Sequence, residues 1–224
     1  MSQQAEADAL HSAIHREICG NGPPLVLLHG WALNVRVFDP LVARLSSRFT
    51  MHALDLPGHG RSSGPLQADP DAIAAQLLRQ LPARFHLCGW SLGGMLALAI
   101  AARAPQRVAS LALVATTPRF TSGDGWTHGV APALLQRMAT QLASDPVRTV
   151  QDMLELQVRG SQHAAEVLGS LRHALLAHGA ARPEELDAGL RLLGNADLRA
   201  RIPDIRAPAL VLAGQYDRVT HPSA

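Results

Sequence analysis

Short apolar runs alternate with helix-like patterns through the first half of the chain. Apolar runs of strand length occur at residues 25–28, 49–54, 84–88, 108–115 and 209–213. Asp69-Pro70, a capping aspartate followed by proline, predicts a helix that continues to about residue 81. Residues 92–103 are a run of Leu, Ala, Met and Ile, suited to a helix buried against a sheet. The alternation predicts an α/β fold with a mostly parallel central sheet and crossover helices.

The pattern changes after Pro118, and no strand signal follows until about Arg206. Helix signals come instead one after another, beginning near residues 145, 161 and 183. A helical block of about ninety residues is too long for a loop and indicates an inserted lid. We therefore predict an α/β core made of residues 10–117 and 207–224, and a helical lid made of residues 118–206.

The composition narrows the class of protein. The chain has 224 residues, 47% of them hydrophobic, which fits one globular domain carrying one sizeable insertion. A net charge of +2 argues against a nucleic-acid partner, and no apolar stretch approaches the roughly 18 residues of a membrane helix. The first nine residues carry two acids and no apolar run, unlike a secretory signal, so we expect a cytoplasmic protein. We also expect a monomer. The histidines form no HExxH pattern, and we expect no metal and no cofactor.

The strongest chemical signal is the segment Gly89-Trp90-Ser91-Leu92-Gly93-Gly94. It is a G-x-S-x-G motif between a predicted strand and a predicted helix, which is the context of a nucleophile elbow. Such a turn holds its serine in a strained conformation that only very small neighbours permit, and the glycines at 89 and 93 provide them. A chance G-x-S-x-G is common in glycine-rich chains, but this context favours Ser91 as a nucleophile.

Two further loops accompany the elbow. His29-Gly30-Trp31 follows the first apolar run, and the backbone N–H groups of Trp31 and Leu92 are candidates for an oxyanion hole. The segments HGW, DLPGHGRS and GWSLGG, in this order and spacing, resemble the lidded α/β-hydrolase family. The resemblance implies structural rather than catalytic roles for His29 and His59.

The order of catalytic residues in this family is serine, acid, histidine. Asp217 follows a late apolar run and is the candidate acid, although a turn aspartate is the alternative. His221 lies only four residues further on, where the resemblance implies a helix start rather than a catalytic loop. We expect the general base, a last strand and a last helix to lie in a tail beyond residue 224, the alternative being a truncated, inactive product.

A narrower resemblance runs from about residue 25 to residue 217, through the lid. It is carried by LVLLHGWALNVRVFDPL, FTMHALDLPGHGRS, LCGWSLGGMLALAIA and TVQDMLELQ. These segments resemble the esterases that hydrolyse the methyl ester of pimeloyl-acyl carrier protein in biotin synthesis. The resemblance implies substrate contacts at Trp31, Ser91, Leu92, Met153, Leu154, Glu155, Leu156 and Gln157. Trp90, Met138 and Trp126 are candidates for extending an apolar channel, although ordinary lid core is the alternative.

The resemblance also implies an acidic acyl carrier protein as a partner, held by lid arginines. Arg148 keeps the family position, and Arg159 and Arg172 are candidate substitutes for arginines that this chain lacks. Arg148, Asp152, Glu155 and Arg159 also form one helical stripe of alternating charge, which a solvated ion-pair face would produce.

Two alternative functions remain open beside the carrier esterase. The first is a broad short-chain carboxylesterase with the same machinery. The second is a catalytically silent binding module, if the histidine is absent; the intact elbow at 89–94 argues against it.

Overall fold

The computed structural model describes residues 14–123 and 125–224. Its six strands are β1 (Arg16–Gly20), β2 (Pro24–Leu28), β3 (Thr50–Leu54), β4 (Phe85–Trp90), β5 (Val108–Val114) and β6 (Ala209–Leu212). They form one sheet in the order β1-β3-β2-β4-β5-β6. β1 is antiparallel to β3, and every other pair is parallel. The α/β fold with a mostly parallel central sheet, predicted from the sequence, is confirmed.

Within the described residues, seven α-helices accompany this sheet. They are α1 (Asp39–Leu45), α2 (Pro70–Leu78), α3 (Leu92–Arg103), α4 (Pro132–Ser144), α5 (Pro146–Val158), α6 (Ala164–His178) and α7 (Pro183–Asn195). Alternate residues of β2 point to opposite faces: Val26 and Leu28 join the larger core cluster, and Leu25 and Leu27 join the smaller one. All residues of α3 except Arg103 are buried, as the apolar run predicts.

Some elements differ from the sequence prediction. β1 was not predicted, because it is an edge strand that begins with Arg16 and Glu17 and has no apolar run. α1 and α4 were not predicted individually either. α2 ends at Leu78, three residues before the predicted boundary, since Arg79 already caps it. The other boundaries agree within one to three residues, which is the usual uncertainty of helix and strand ends.

Helices α4–α7 lie between β5 and β6, and we call residues 118–206 the helical insertion. The first and last segments of the insertion are hydrogen-bonded to each other, since Leu198 N donates to Pro118 O at 2.8 Å. The Arg119 guanidinium reaches the Asp197 carboxylate at 3.1 Å beside them. Hydrogen bonding by Arg199 lowers the pKa of Asp197 to about 2, so the carboxylate of this contact is charged at neutral pH.

Among the residues that the structure describes, no helix has the length and apolar character needed to cross a membrane. The predicted absence of a secretory signal concerns the first nine residues, which lie outside the described ones, as do the first four residues of the predicted core.

Candidate active site

Ser91 lies at the turn between β4 and α3 with φ +54° and ψ −118°. A non-glycine residue at positive φ is strained and needs support from its surroundings. That support comes from both sides: Ser91 N donates to Val114 O at 2.9 Å, and Ser91 O accepts from Gly94 N at 2.8 Å. The hydroxyl of Thr116 also donates to Ser91 O at 2.7 Å. The turn has the backbone geometry of a nucleophile elbow.

The glycines of the motif are required by close backbone contacts. A Cβ on Gly89 would lie 2.3 Å from Gly93 O, and a Cβ on Gly93 would lie 2.2 Å from Leu28 O. Neither contact is possible without moving the main chain, since the clashing atoms are backbone. The sequence prediction that tiny residues are needed at these two positions is explained by these distances.

The loop after β2 approaches the same turn. A Cβ on Gly30 would stand 3.4 Å from Ser91 Cβ, so the backbone at 30–31 lies beside the serine. Leu92 N stands at the first residue of α3, where the helix dipole favours negative charge. Within residues 14–123 and 125–224, neither Trp31 N nor Leu92 N donates a hydrogen bond. Their role as oxyanion donors stays a prediction.

The side chain of Trp31 has a separate role. Its indole Nε1 donates to Leu186 O of α7 at 2.9 Å, and the indole is buried. A Cβ on Gly189 would come within 2.6 Å of the indole Cδ1, so α7 packs directly on this ring. Trp31 thus joins the core loop to the helical insertion.

His29 and His59 are fully buried behind the elbow. His29 Nδ1 lies 2.8 Å from Gly30 O, and its Nε2 accepts from Leu56 N at 2.9 Å. Burial, followed by the proximity of His59, lowers the pKa of His29 to about 3. Burial also lowers the pKa of His59. Both rings are neutral at pH 7 and hold loops, in agreement with the structural roles expected for them.

A cavity of about 220 Å³ brings the predicted nucleophile and acid together. It is lined by Trp90, Ser91, Ala115, Gln157, Gly214, Asp217, Val219 and Thr220. Asp217 Oδ1 accepts from the backbone N–H groups of Val219 and Thr220, both at 2.8 Å, which fixes the carboxylate. Within the described part of the chain, no histidine lines this cavity. His221 is exposed and stacks on His128 at 6.4 Å between ring centroids.

The predicted substrate residues of the helical insertion lie on α5, but they face different surroundings. Gln157 lines the cavity beside Ser91. Met153 and Leu154 are buried in the larger core cluster, and Leu156 packs against it. Glu155 is exposed and pairs with Arg172. Met138 and Trp126 are not among the residues that line this cavity, whereas Trp90 is.

The predicted carrier-binding arginines are exposed on the helical insertion. Arg148 pairs with Asp152 at 2.8 Å, one helical turn away, and Arg172 pairs with Glu155 at 2.9 Å between α6 and α5. Arg159 caps the end of α5. The Arg148–Asp152 pair lies along the predicted stripe of alternating charge, whereas Glu155 pairs across to Arg172 of α6; the guanidinium groups stay at the surface.

Sequence reasoning missed Thr116, whose hydroxyl fixes the Ser91 carbonyl. The signal was available, since Thr116 follows β5 directly and the carboxyl ends of parallel strands meet at one edge of the sheet. It also missed a cluster in which His178 joins His15 and Glu17 from a distant part of the sequence. No spacing rule links such residues, so only the fold reveals them.

With a strained serine at a strand–helix turn and an anchored carboxylate on the wall of the same cavity, the site has the arrangement of an α/β hydrolase. The chain matches a family model described as alpha/beta hydrolase fold over residues 23–224. The chain belongs to this family.

The curated relatives are more specific. The chain is 47% identical to the pimeloyl-[acyl-carrier protein] methyl ester esterase of Stenotrophomonas maltophilia, covering 94% of this chain and 81% of that protein. It is 42% identical to the protein of the same name from Nitrosomonas europaea, covering 93% and 83%. The resemblance stated from the sequence motifs is confirmed.

Solved structures share the fold. An esterase from Exiguobacterium antarcticum superposes with a TM-score of 0.85 at 24% identity, covering 95% of this chain and 81% of that one. An enol-lactonase from Burkholderia xenovorans superposes with a TM-score of 0.81 at 25% identity, covering 95% and 82%. At these identities the likeness concerns the fold alone.

Proposed function

We propose that this protein is a serine carboxylesterase that hydrolyses the methyl ester of a pimeloyl chain on acyl carrier protein, a step of biotin synthesis. The products are methanol and the free pimeloyl carboxylate. The observation that carries the proposal is the strained Ser91 beside Asp217 in one cavity, in a chain 47% identical to an esterase of that name.

The chemistry assigned to the site proceeds in two halves. The Ser91 oxygen attacks the ester carbonyl carbon, its proton passes to a general base, and the carbonyl oxygen becomes an oxyanion. The N–H groups of Trp31 and Leu92 donate to that oxyanion, which is the largest electrostatic contribution in such sites. Collapse expels methoxide, which takes the proton and leaves as methanol. Water then attacks the acyl-serine ester, releasing the carboxylate and restoring the Ser91 hydroxyl.

Asp217 is assigned the role of orienting a histidine and stabilising its imidazolium. Its Oδ1 accepts from two backbone N–H groups, which fix the position of the carboxylate. The family order places the histidine after the acid. No histidine within the described ranges lines the cavity, so the general base is not assigned to any of these residues.

The helical insertion is proposed to act as a lid that receives the acyl chain, with Gln157 at the reacting end of its path. Arg148, Arg159 and Arg172 are proposed contacts for the acidic carrier, because their guanidinium groups remain at the surface. As part of the same proposal, the enzyme is a cytoplasmic monomer that needs no metal or cofactor for ester hydrolysis.

The test of the substrate compares two esters. We expect kcat/KM for the carrier-bound pimeloyl methyl ester to exceed that for a simple nitrophenyl ester by at least about tenfold, equal to roughly 1.4 kcal/mol of transition-state binding. Comparable values for the two esters would favour the broad short-chain carboxylesterase instead.

The test of the nucleophile uses the Ser91→Ala variant. We expect kcat/KM to fall by about 10⁴-fold or more, because only binding and the oxyanion hole remain. A fluorophosphonate should add once to the native protein, at Ser91, and not at all to the variant, as followed by intact mass spectrometry. Equal labelling of both proteins would contradict the assignment, and an unlabelled native protein would favour the silent binding module.

A further inference from the structure

Three potential metal ligands converge at the edge strand β1, and none of them lines the cavity at Ser91. His15 directly precedes β1, Glu17 lies within β1, and His178 is the last residue of α6. Glu17 Oε1 lies 3.4 Å from His15 Nε2 and 3.5 Å from His178 Nε2. The ligand atoms of all three residues lie within 4.8 Å of one another.

The two distances from Glu17 Oε1 to the imidazole nitrogens fit the geometry of a tetrahedral zinc site. Nitrogen and oxygen ligands about 2.0–2.2 Å from Zn²⁺ at tetrahedral angles stand about 3.3–3.5 Å apart. Two imidazoles and one carboxylate are a recurrent ligand set for Zn²⁺ and for other late first-row ions. We propose that His15, Glu17 and His178 bind one divalent ion of this class, with Zn²⁺ as the reference ion and water as the fourth ligand.

The groups around the three ligands hold them as a metal site requires. Asp55 Oδ2 lies 3.4 Å from Nδ1 of His178, leaving Nε2 to face the site. Such a carboxylate–histidine contact orients a ligating ring and raises its basicity. Asp55 is itself fixed, because its Oδ1 accepts from Val35 N and its Oδ2 from Arg61 N. The histidine side chain is only 4% exposed, so its position is set by packing.

The two carboxylate oxygens of Glu17 have different partners. The Arg36 guanidinium binds Oε2, while Oε1 faces both imidazoles. Glu17 therefore offers one oxygen to a metal ion and keeps the other in an ion pair. The backbone of His15 is also anchored, since its N–H donates to Ser62 Oγ at 2.8 Å and its carbonyl accepts from Asp55 N at 3.0 Å.

Metal binding at this position would tie the helical insertion to the core. His178 ends α6, while His15 and Glu17 lie at the edge strand β1. Because the unfolded chain does not bring these residues together, bound metal stabilises the folded state. None of the three ligands lines the cavity of Ser91 and Asp217, so the role proposed for the metal ion is structural and the ester chemistry stays with the residues assigned above.

The experiment is a calorimetric titration of the metal-free protein with Zn²⁺. We expect one ion per chain and, at about one hundred times Kd, a rise in Tm of roughly 5–10 °C. His15→Ala and Glu17→Gln should each weaken binding by at least about tenfold. Both residues lie at the partly exposed edge strand, so the variants test the site even if His178→Ala fails to fold. Circular dichroism of each variant verifies the fold.

Three control variants separate this site from other metal-binding groups. His173→Ala removes an exposed histidine of the same helix, and Cys19→Ser removes an exposed thiol of the same strand. The double variant His128→Ala/His221→Ala removes the stacked surface pair. All three should bind Zn²⁺ as the native protein does. Unchanged affinity in both ligand variants, loss of binding in any control, or no binding by the native protein would overturn the proposal.

Discussion

The turn that carries Ser91 is enclosed by backbone atoms, whereas the helical insertion meets the core through side chains and keeps one face in water. A Cβ on Gly93 would lie 2.2 Å from Leu28 O, while a Cβ on Gly169, in α6, would meet nothing within 4 Å. In the first region a backbone conformation decides the chemistry. In the second, many different sequences satisfy the same amphipathic pattern of apolar and polar residues. The amino-acid sequence is therefore constrained far more tightly at the Ser91 turn than in the helical insertion.

The largest expected effect compares these two glycines. Gly93→Ala should lower the free energy of unfolding by at least about 3 kcal/mol, because the new methyl group clashes with backbone that cannot move cheaply. Gly169→Ala should raise it by roughly 0.5–1 kcal/mol, because alanine loses less backbone entropy in a helix. Denaturant unfolding measures both. Comparable stability of the two variants would remove the contrast between the regions.

The pH dependence of the free energy of unfolding should also differ between a buried histidine of the core, His29, and an exposed histidine of the insertion, His173. The pKa of His29 is about 3 in the fold, against an ordinary value of 6.5. Between these two pH values His29 is protonated in the unfolded chain but not in the folded chain. The free energy of unfolding therefore falls as the pH drops from about 6.5 towards 3. A single such group contributes up to about 1.4 kcal/mol per pH unit in this window.

Two matched variants test whether His29 causes this change of the free energy of unfolding with pH. His29→Gln should make the loss of stability between pH 6.5 and 4.5 shallower, while His173→Gln, at an exposed position of the insertion, should leave it unchanged. Chemical unfolding at a series of pH values measures the slope. An identical slope in native protein and His29→Gln would mean that His29 does not carry the effect.

A smaller effect is expected at the contact between the two regions. Trp31→Phe removes the indole hydrogen bond to Leu186 O and should cost about 1–2 kcal/mol. Amide hydrogen exchange should accelerate in α7 while the 89–94 turn keeps its protection. Trp126→Phe is the control, because its indole bonds to Arg119 O within the insertion. Acceleration of α7 in the control alone would reverse the assignment.

The smallest expected effect concerns the surface of the insertion. Arg172→Ala should change the free energy of unfolding by about 0.5 kcal/mol or less, because its ion pair with Glu155 is half-exposed. KM for the carrier-bound ester should nevertheless rise, with no change for a small ester. Arg191→Ala, which breaks an exposed ion pair with Asp187 on α7, is the control and should not raise KM. Unchanged KM in Arg172→Ala would leave the arginine as part of an ion-pair face only.

The nucleophile turn at 89–94 could be predicted from the sequence in more detail than the helical insertion. Ser91, Gly89 and Gly93 follow from one motif because the elbow permits no other arrangement, and five of the six strands carry clear apolar runs. β1 escaped prediction because a short exposed edge strand has no such run. The insertion was predicted as helical, but the helical period alone does not distinguish Gln157, at the cavity, from Leu154, in the core.

The fluorescence of Trp31 can report whether α7 separates from the core. The indole is 4% exposed and lies between the core loop and α7, with its N–H bonded to Leu186 O. Any separation of α7 from the core transfers this ring from an apolar contact to water, which changes the colour and intensity of its fluorescence. The chain has three tryptophans, so subtracting the spectrum of Trp31→Phe isolates this signal. Opening and closing of the insertion can then be timed by stopped-flow mixing without an attached dye.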